Sequence, residues 1–469
     1  MKQGEFLPQL EQLIGVAHIL RAPHDIEPYC IDMRQRYNGK PLAVALPGSR
    51  DEVAALVRLA RAHGVAIVPQ GGNTSTCGAA TPDGSGQCLL VGLRRLDRVI
   101  AVDAANNSMT LEAGATLARA QEVARDANRL FPLSLASEGS CQIGGNLSTN
   151  AGGLAVLRYG TMRELALGLE VVLPDGQVLS QLSGLRKDTS GLDLKQLFIG
   201  AEGQLGLITA ATLKLFPLPR ARATALVGVA DAQTAIDWLA ALRDRFADRL
   251  TTFEMMSSDC LELLRDYQGD KVPFVAPWTL LIELSDTCGQ AALDDMLVEW
   301  LGEREMVDGV IAQSESERIA LWRLREDMSE TQKKRGPSIK HDIGVPSSAI
   351  PRFLAAAGAE LEAAFPGCSI MAFGHAGDGN LHYNVSFTRP GNADLFDDEE
   401  AVNRIVYDLV YALGGTLAAE HGIGQLKTHW LERYKSPLEI ALMRAIKREL
   451  DPDNLMNPGK WLSPPRADA

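Results

Sequence analysis

Three of the eight histidines and one glutamate fall in two short segments. The first is Phe373-Gly374-His375-Ala376-Gly377-Asp378-Gly379-Asn380-Leu381-His382-Tyr383-Asn384, and the second is Ala419-Glu420-His421-Gly422. Two imidazoles and a carboxylate are a donor set for a divalent cation, with one or more positions left for substrate. His375, His382 and Glu420 would be the ligands. His421, beside a ligand without being one, would be the base next to a bound substrate. Half-buried sheet histidines in a Gly-rich hairpin are the plainer reading. Two histidines flanking one tight turn, with a Glu-His pair in a Gly-flanked loop, favour a site.

Positioning these groups falls to a β-hairpin. An apolar run, Cys368 to Phe373, precedes His375, and an alternating run, Leu381 to Phe387, carries His382. Between them Ala376-Gly377-Asp378-Gly379 is strong turn chemistry. Strands leaving such a turn bring His375 and His382 together across the pair.

A second set of groups suits an anion. Glu315 to Arg335 reads as one helix, which puts Arg325 and Ser329 on one face at i, i+4. Lys340 follows closely. A guanidinium fork, a hydroxyl and an ammonium suit a small dicarboxylate. The plainer alternative pairs Arg325 with Glu326 or Asp327 on a solvated face.

The amino-terminal half has a different texture. Pro41 to Leu46 reads as a strand, Ser49-Arg50-Asp51-Glu52 as a capping box opening a helix that stops at His63-Gly64, and Val65 to Val68 as a buried strand parallel to the first. That strand runs into Pro69-Gln70-Gly71-Gly72-Asn73-Thr74-Ser75, where paired glycines let backbone approach a ligand. Neither G-x-G-x-x-G nor a P-loop lysine is present. A longer segment, Gly139 to Gly153, has five glycines in fifteen residues and no charge. A hairpin is expected around Pro174-Asp175-Gly176, and a third Gly-punctuated turn, Gly200 to Gly206, enters a strand through Ile208. Three such loops point to one large phosphate-bearing cofactor.

At 469 residues the chain is too long for one core. A hydrophobic share of 46% and a charged share of 22% are those of a soluble globular protein. The net charge of −13 argues against nucleic acid as a partner. Seven scattered cysteines without a CxxC pair suit free thiols in a reducing compartment. Without a signal peptide or an apolar run long enough to span a bilayer, a cytoplasmic location is expected. Residues 1–35 read as a helical lead-in, 36–220 as the cofactor domain, 221–408 as an α+β substrate domain with the metal hairpin, and 409–469 as a returning tail.

The chain resembles the FAD-dependent 2-hydroxyacid dehydrogenases of the vanillyl-alcohol-oxidase superfamily, over about residues 36–462. The resemblance rests on Pro69–Thr74, Gly139–Asn146, Thr149–Gly153, Arg158–Gly160, Gly374–His382, Glu420–Gly424 and Asn457–Lys460, in this order. It implies an α+β architecture: a PCMH-type FAD domain of two α+β subdomains, an α+β cap domain and a tail that completes the FAD domain. FAD would lie on Pro69, Gly71, Gly72, Asn73, Thr74 and Ser75 through its pyrophosphate. The ring system would lie along Gly139, Ser140, Gly144, Gly145, Asn146, Thr149, Asn150, Ala151, Gly152 and Gly153, with Glu202, Gly203, Ile208 and Asn457 also in contact. No histidine in the 69–80 loop tethers the flavin, so non-covalent FAD is expected.

His375, His382 and Glu420 match the family's ligands for zinc or manganese. Arg325, Ser329, Lys340, Asn384 and His421 match positions that hold substrate in hydroxyglutarate dehydrogenases; Ser329 stands where a threonine is expected. The implied reaction converts D-2-hydroxyglutarate to 2-oxoglutarate by hydride transfer to flavin N5, with His421 as base. D-lactate or glycolate is the alternative substrate on the same fold, and a flavin-free metal-dependent hydrolase is a distant third. A homodimer is implied, with an electron-transfer flavoprotein or a quinone as electron acceptor.

Overall fold

In a computed structural model, residues 3–387 and 394–462 are described. The chain divides into two compact units. One comprises Met1–Gly153, Gly160–Leu218 and Glu420–Ala469; the other comprises Leu154–Tyr159 and Pro219–Ala419.

In the first unit, helices Gln3–Ile14 and Pro23–Cys30 form the lead-in. Ser49 caps the helix Arg50–His63, its Oγ accepting the Glu52 N–H at 3.2 Å. The Glu52 carboxylate instead reaches back to the Gly48 N–H, one residue before the partner of a capping box. The helix ends on Gly64 at φ 65°, as a left-handed cap requires. The next strand is Ile67–Gln70, two residues later than its apolar run suggests.

The strands Ala43–Ala45 and Ile67–Gln70 are parallel, as expected, but they do not pair with each other. Leu89–Gly92 lies between them and pairs in parallel with both. Every residue of this inserted strand is buried, which suits a central place covered on both faces. A five-stranded antiparallel sheet follows, ordered Val99–Asp103, Ser108–Glu112, Leu207–Lys214, Ala166–Val172 and Val178–Gln181. Its last two strands form the hairpin around Pro174-Asp175-Gly176, with Gly176 at φ 80°.

The second unit is built on a seven-stranded sheet. Its order is Asp308–Ile311, Ala221–Val229, Trp278–Asp286, Leu250–Ser257, Ser369–Gly374, Asn380–Ser386 and Ile339–Gly344. Leu250–Ser257 is buried along its whole length. Glu315 to Arg335 is not one helix. It is two, Glu315–Glu326 and Met328–Arg335, with Asp327 between them. Among the described residues, no helix is long and apolar enough to cross a membrane.

The tail closes the first unit. Met456 bridges Ile67, with the Ile67 N–H donating to Leu455 O at 2.7 Å and the Asn457 N–H to Ile67 O at 2.7 Å. Buried Lys447 donates to Gln204 O, Asp451 Oδ2 and Met456 O at 2.8, 2.6 and 2.7 Å. Burial pulls its ammonium pKa down, against the raising effect of Asp451. Lys447→Met would leave the Asp451 carboxylate buried without its cation. It should destabilise this unit by about 3–5 kcal/mol, seen as a lower calorimetric midpoint. An unchanged midpoint would show the ammonium to be dispensable.

Candidate active site

The hairpin forms as its glycines demand. Ser369–Gly374 and Asn380–Ser386 pair antiparallel with Phe373 opposite His382. Gly379 sits at φ 91°, and a Cβ there would lie 2.0 Å from Val345 O. Gly377 fastens the turn to the neighbouring strand: its N–H donates to Phe253 O at 3.0 Å, and its carbonyl accepts from Arg243. The His375 and His382 rings stand 5.8 Å apart, edge to face. In the turn, burial pushes the Asp378 carboxyl up to about 6, against the pull of His375.

What sets the His375 ring is a residue the sequence reading passed over. Glu254 lies within Leu250–Ser257, its side chain 0% exposed. The His375 Nδ1–H donates to its Oε1 at 2.5 Å, and the Arg325 Nε–H donates to its Oε2 at 2.5 Å. Burial alone would raise the Glu254 pKa; the cationic pull of His375 and Arg325 outweighs it and takes the carboxyl down to about 2.

Arg325 therefore pairs with neither Glu326 nor Asp327. The helix Glu315–Glu326 presents Arg318, Trp322 and Arg325 at i, i+4 and i+7, one face, to two carboxylates on adjacent strands. Arg318 and Trp322 Nε1 donate to Glu283 Oε2 at 3.3 and 2.7 Å, while Arg325 takes Glu254. The Arg325 guanidinium also lies 4.9 Å from the Phe373 ring. The break at Asp327 undoes the expected shared face, for Arg325 is buried and Ser329 exposed. An acid alone inside an apolar strand, as at Glu254 and Glu283, was the signal available in the sequence.

Lys340 and Asn384 lie opposite each other on paired strands. Lys340 donates to Ser338 Oγ at 3.0 Å, and Asn384 Nδ2 donates to Gln332 Oε1 at 2.6 Å. Glu420 and His421 directly follow Ala419, whose N–H donates to Asp342 O. One ligand atom each from His375 and His382 fall within 4.8 Å of each other, as do those of Asp342 and His382. Asp342, opposite His382 in the sheet register, was not singled out from the sequence.

In the first unit the Gly-rich segments meet. A Cβ on Gly72 would lie 1.8 Å from Ser140 O, and one on Gly71 would lie 3.5 Å from Gln142. Gly144, Gly145 and Asn146 belong to the short helix Ile143–Ser148, and a Cβ on Gly139 or Gly145 would meet nothing. Asn73 donates to Pro28 O and Ile31 O, and the Ser75 hydroxyl accepts the Ala79 N–H. Thr149 donates to Gly145 O, and Asn150 Oδ1 accepts from Thr161 and the Arg163 N–H. Gly153 packs on Ser134, and Gly203 on Pro69. Thr74, Ala151, Gly152 and the buried Ile208 complete these segments.

Glu202 is buried. Burial raises its carboxyl pKa even as both oxygens accept backbone N–H bonds, from Ile423 at 2.6 Å and Gly424 at 2.7 Å. Asn457 donates to Glu202 O and Ala79 O. Gln142 Oε1 and Asn457 Oδ1 are buried with no hydrogen-bond partner among the described residues.

Two family models match the chain: an FAD binding domain over residues 41–181, and the C-terminal domain of FAD linked oxidases over residues 218–461. The D-2-hydroxyglutarate dehydrogenase of Xanthomonas citri pv. viticola is 38% identical, over 96% of this chain and 95% of its own. That of Stutzerimonas stutzeri is 34% identical, over 98% and 99%. The structure of p-cresol methylhydroxylase with substrate bound superposes with a TM-score of 0.76 at 15% identity, covering 98% of this chain and 97% of that one. The fold is of the p-cresol methylhydroxylase, vanillyl-alcohol-oxidase type.

The amide pair of Asn384 and Gln332 gives a local check on the site's construction. Gln332→Ala removes the acceptor of a buried donor and should destabilise the second unit by about 1–3 kcal/mol, read from its thermal midpoint. No change would mean that the Asn384 amide finds another partner.

Proposed function

The chain belongs to the FAD-linked oxidases, as a FAD-dependent 2-hydroxyacid dehydrogenase, and from that premise we propose that it oxidises D-2-hydroxyglutarate to 2-oxoglutarate. The observation that carries the substrate is Arg325. It is a buried guanidinium held by Nε, beside a histidine pair that suits a divalent cation. With Nε fixed, its terminal nitrogens make a fork for the distal carboxylate of a dicarboxylic acid. Relatives that carry this substrate in their names agree with the choice.

FAD, when bound, supplies the two-electron acceptor. Its fit is supported by the orphaned acceptors Gln142 Oε1 and Asn457 Oδ1 and by glycines whose added Cβ would meet nothing. The cofactor-holding residues are those named along Pro69–Ser75, Gly139–Gly153, Glu202–Ile208 and Asn457, and binding is non-covalent. A zinc or manganese ion on His375, His382 and Glu420 would lower the pKa of the substrate hydroxyl as a Lewis acid. Two imidazoles and a carboxylate are a suitable donor set for it.

Arg325 binds the distal carboxylate, with the Lys340 ammonium as a further donor; exposed Ser329, off the Arg325 face, is left out of this role. Asn384 orients the substrate's polar end. The His421 imidazole takes the hydroxyl proton as the Cα hydrogen leaves with its electron pair, so the carbonyl forms. An electron-transfer flavoprotein or a quinone then removes the electrons.

Anaerobic mixing should bleach the flavin with D-2-hydroxyglutarate, not with its L-isomer, and a chelator should stop it. Bleaching by D-lactate in preference would move the assignment to the monocarboxylic acids, and no bleaching by any 2-hydroxyacid would sink it. His421→Ala should keep its flavin and lose about 10²- to 10⁴-fold in kcat, the usual worth of a general base. Near-normal turnover would remove His421 from the proton transfer.

A further inference from the structure

Glu254 has no part in the chemistry just set out, yet it touches two of the groups that do. Its strand is otherwise apolar or hydroxyl-bearing and is buried at every position. A carboxylate without water is tolerable only where both oxygens are matched by donors. Here one oxygen takes the His375 Nδ1–H and the other the Arg325 Nε–H, at 2.5 Å each.

Each bond has a consequence beyond stability. A carboxylate accepts and cannot donate, so the proton of a neutral His375 must sit on Nδ1, and Nε2 is the nitrogen offered to a cation. The Nε–H bond fixes the plane of the Arg325 guanidinium, and Phe373 flanks it at 4.9 Å. The direction of its terminal nitrogens is set with it. One side chain thus orients a metal-facing ring and a carboxylate-facing fork.

We propose that Glu254 is a positioning residue shared by the two halves of the substrate site, setting the tautomer of the ligand His375 and the aim of the carboxylate fork Arg325. This rests on the metal and dicarboxylate reading given above. Cation affinity and discrimination for a dicarboxylic substrate are therefore coupled through Glu254. The amide of Glu254→Gln has one oxygen to accept with, so it can serve one of the two donors while its NH2 faces the other.

The test uses full-length protein with its flavin, stripped of metal by chelator. Manganese or zinc affinity is measured by competition with a chromophoric chelator, and KM is measured for D-2-hydroxyglutarate and for D-lactate. Glu254→Gln should weaken the cation by about 10- to 100-fold, the usual effect of losing a partner behind a ligating histidine. It should raise KM for D-2-hydroxyglutarate by about tenfold, the worth of one charge-assisted hydrogen bond, with a smaller change for D-lactate. Flavin content and the melting transition report folding. If the single variant does not fold, Glu254→Gln combined with Arg325→Met leaves no unpaired buried charge and carries the same metal measurement.

His375→Ala separates the two layers of the argument. Should it lose the cation while both Glu254 variants bind it as tightly as the wild type, the positioning role falls and the metal reading stands. Should His375→Ala itself keep wild-type affinity, the metal reading falls and this proposal with it. Equal KM changes for the two acids in Glu254→Gln would overturn the coupling to the fork.

Discussion

A carboxylate that meets no water has to be answered on both oxygens, and around Glu254 that requirement organises the second unit. Its Oε1 and Oε2 are met from two different elements, the hairpin turn through His375 and the helix Glu315–Glu326 through Arg325. Neither element can shift without leaving charge buried and unmatched, a loss of several kcal/mol. The same device recurs beside it. Glu283 holds the same helix through Arg318 and Trp322, with Thr224 on the next strand as a third donor. Two acids on neighbouring strands thus fix both the rotation of the helix and its position along its axis.

Apolar packing alone would hold the helix at lower desolvation cost. Leu321, Trp322, Leu324 and Met328 already bury themselves against Met256, Leu281, Met371 and Phe373. Such contacts are tolerant of small slides and rotations, because methyl groups have no preferred partner. A guanidinium on a carboxylate is not tolerant, since its donors lie in one plane with fixed directions. In the proposed chemistry, the site needs Arg325 aimed rather than merely buried. The ionic pair is the more costly fastening and the more exact one.

How much of this the sequence disclosed depended on whether a feature was local. The hairpin was legible because Gly377, Asp378 and Gly379 leave the backbone few alternatives. The Gly-rich segments 69–75 and 139–153 were legible as backbone lacking side chains, and Gly72 lies against Ser140 with no room for a Cβ. Pairings over long separations were not legible. Nothing near Arg325 names Glu254 as its partner, and the neighbours Glu326 and Asp327 offered a nearer, mistaken one. Gln332 as the acceptor for Asn384 was hidden in the same way. The strand Leu89–Gly92 separating two others depends on sheet order, which periodicity does not encode. The break at Asp327 was invisible too, because both helices carry helix-forming residues up to it.

The tail shows what such long separations mean for the chain as a whole. The chain leaves the first unit at Leu218 and re-enters it at Glu420. On re-entry it does structural work at once. Ile423 and Gly424 meet the Glu202 carboxylate, and Asn457 spans Glu202 and Ala79. Met456 then lies along Ile67, the outer strand of the four-stranded sheet. An uncovered strand edge is a template for wrong pairing, and here its cover comes from the end of the chain. Contacts so distant in sequence form late, since loop closure must precede their reward. The amino-terminal sheet therefore cannot complete its hydrogen bonding until the whole second unit has been made. The Gly-rich loops that follow its strands gain their final support at that point as well, because Asn457 and Glu202 act there together.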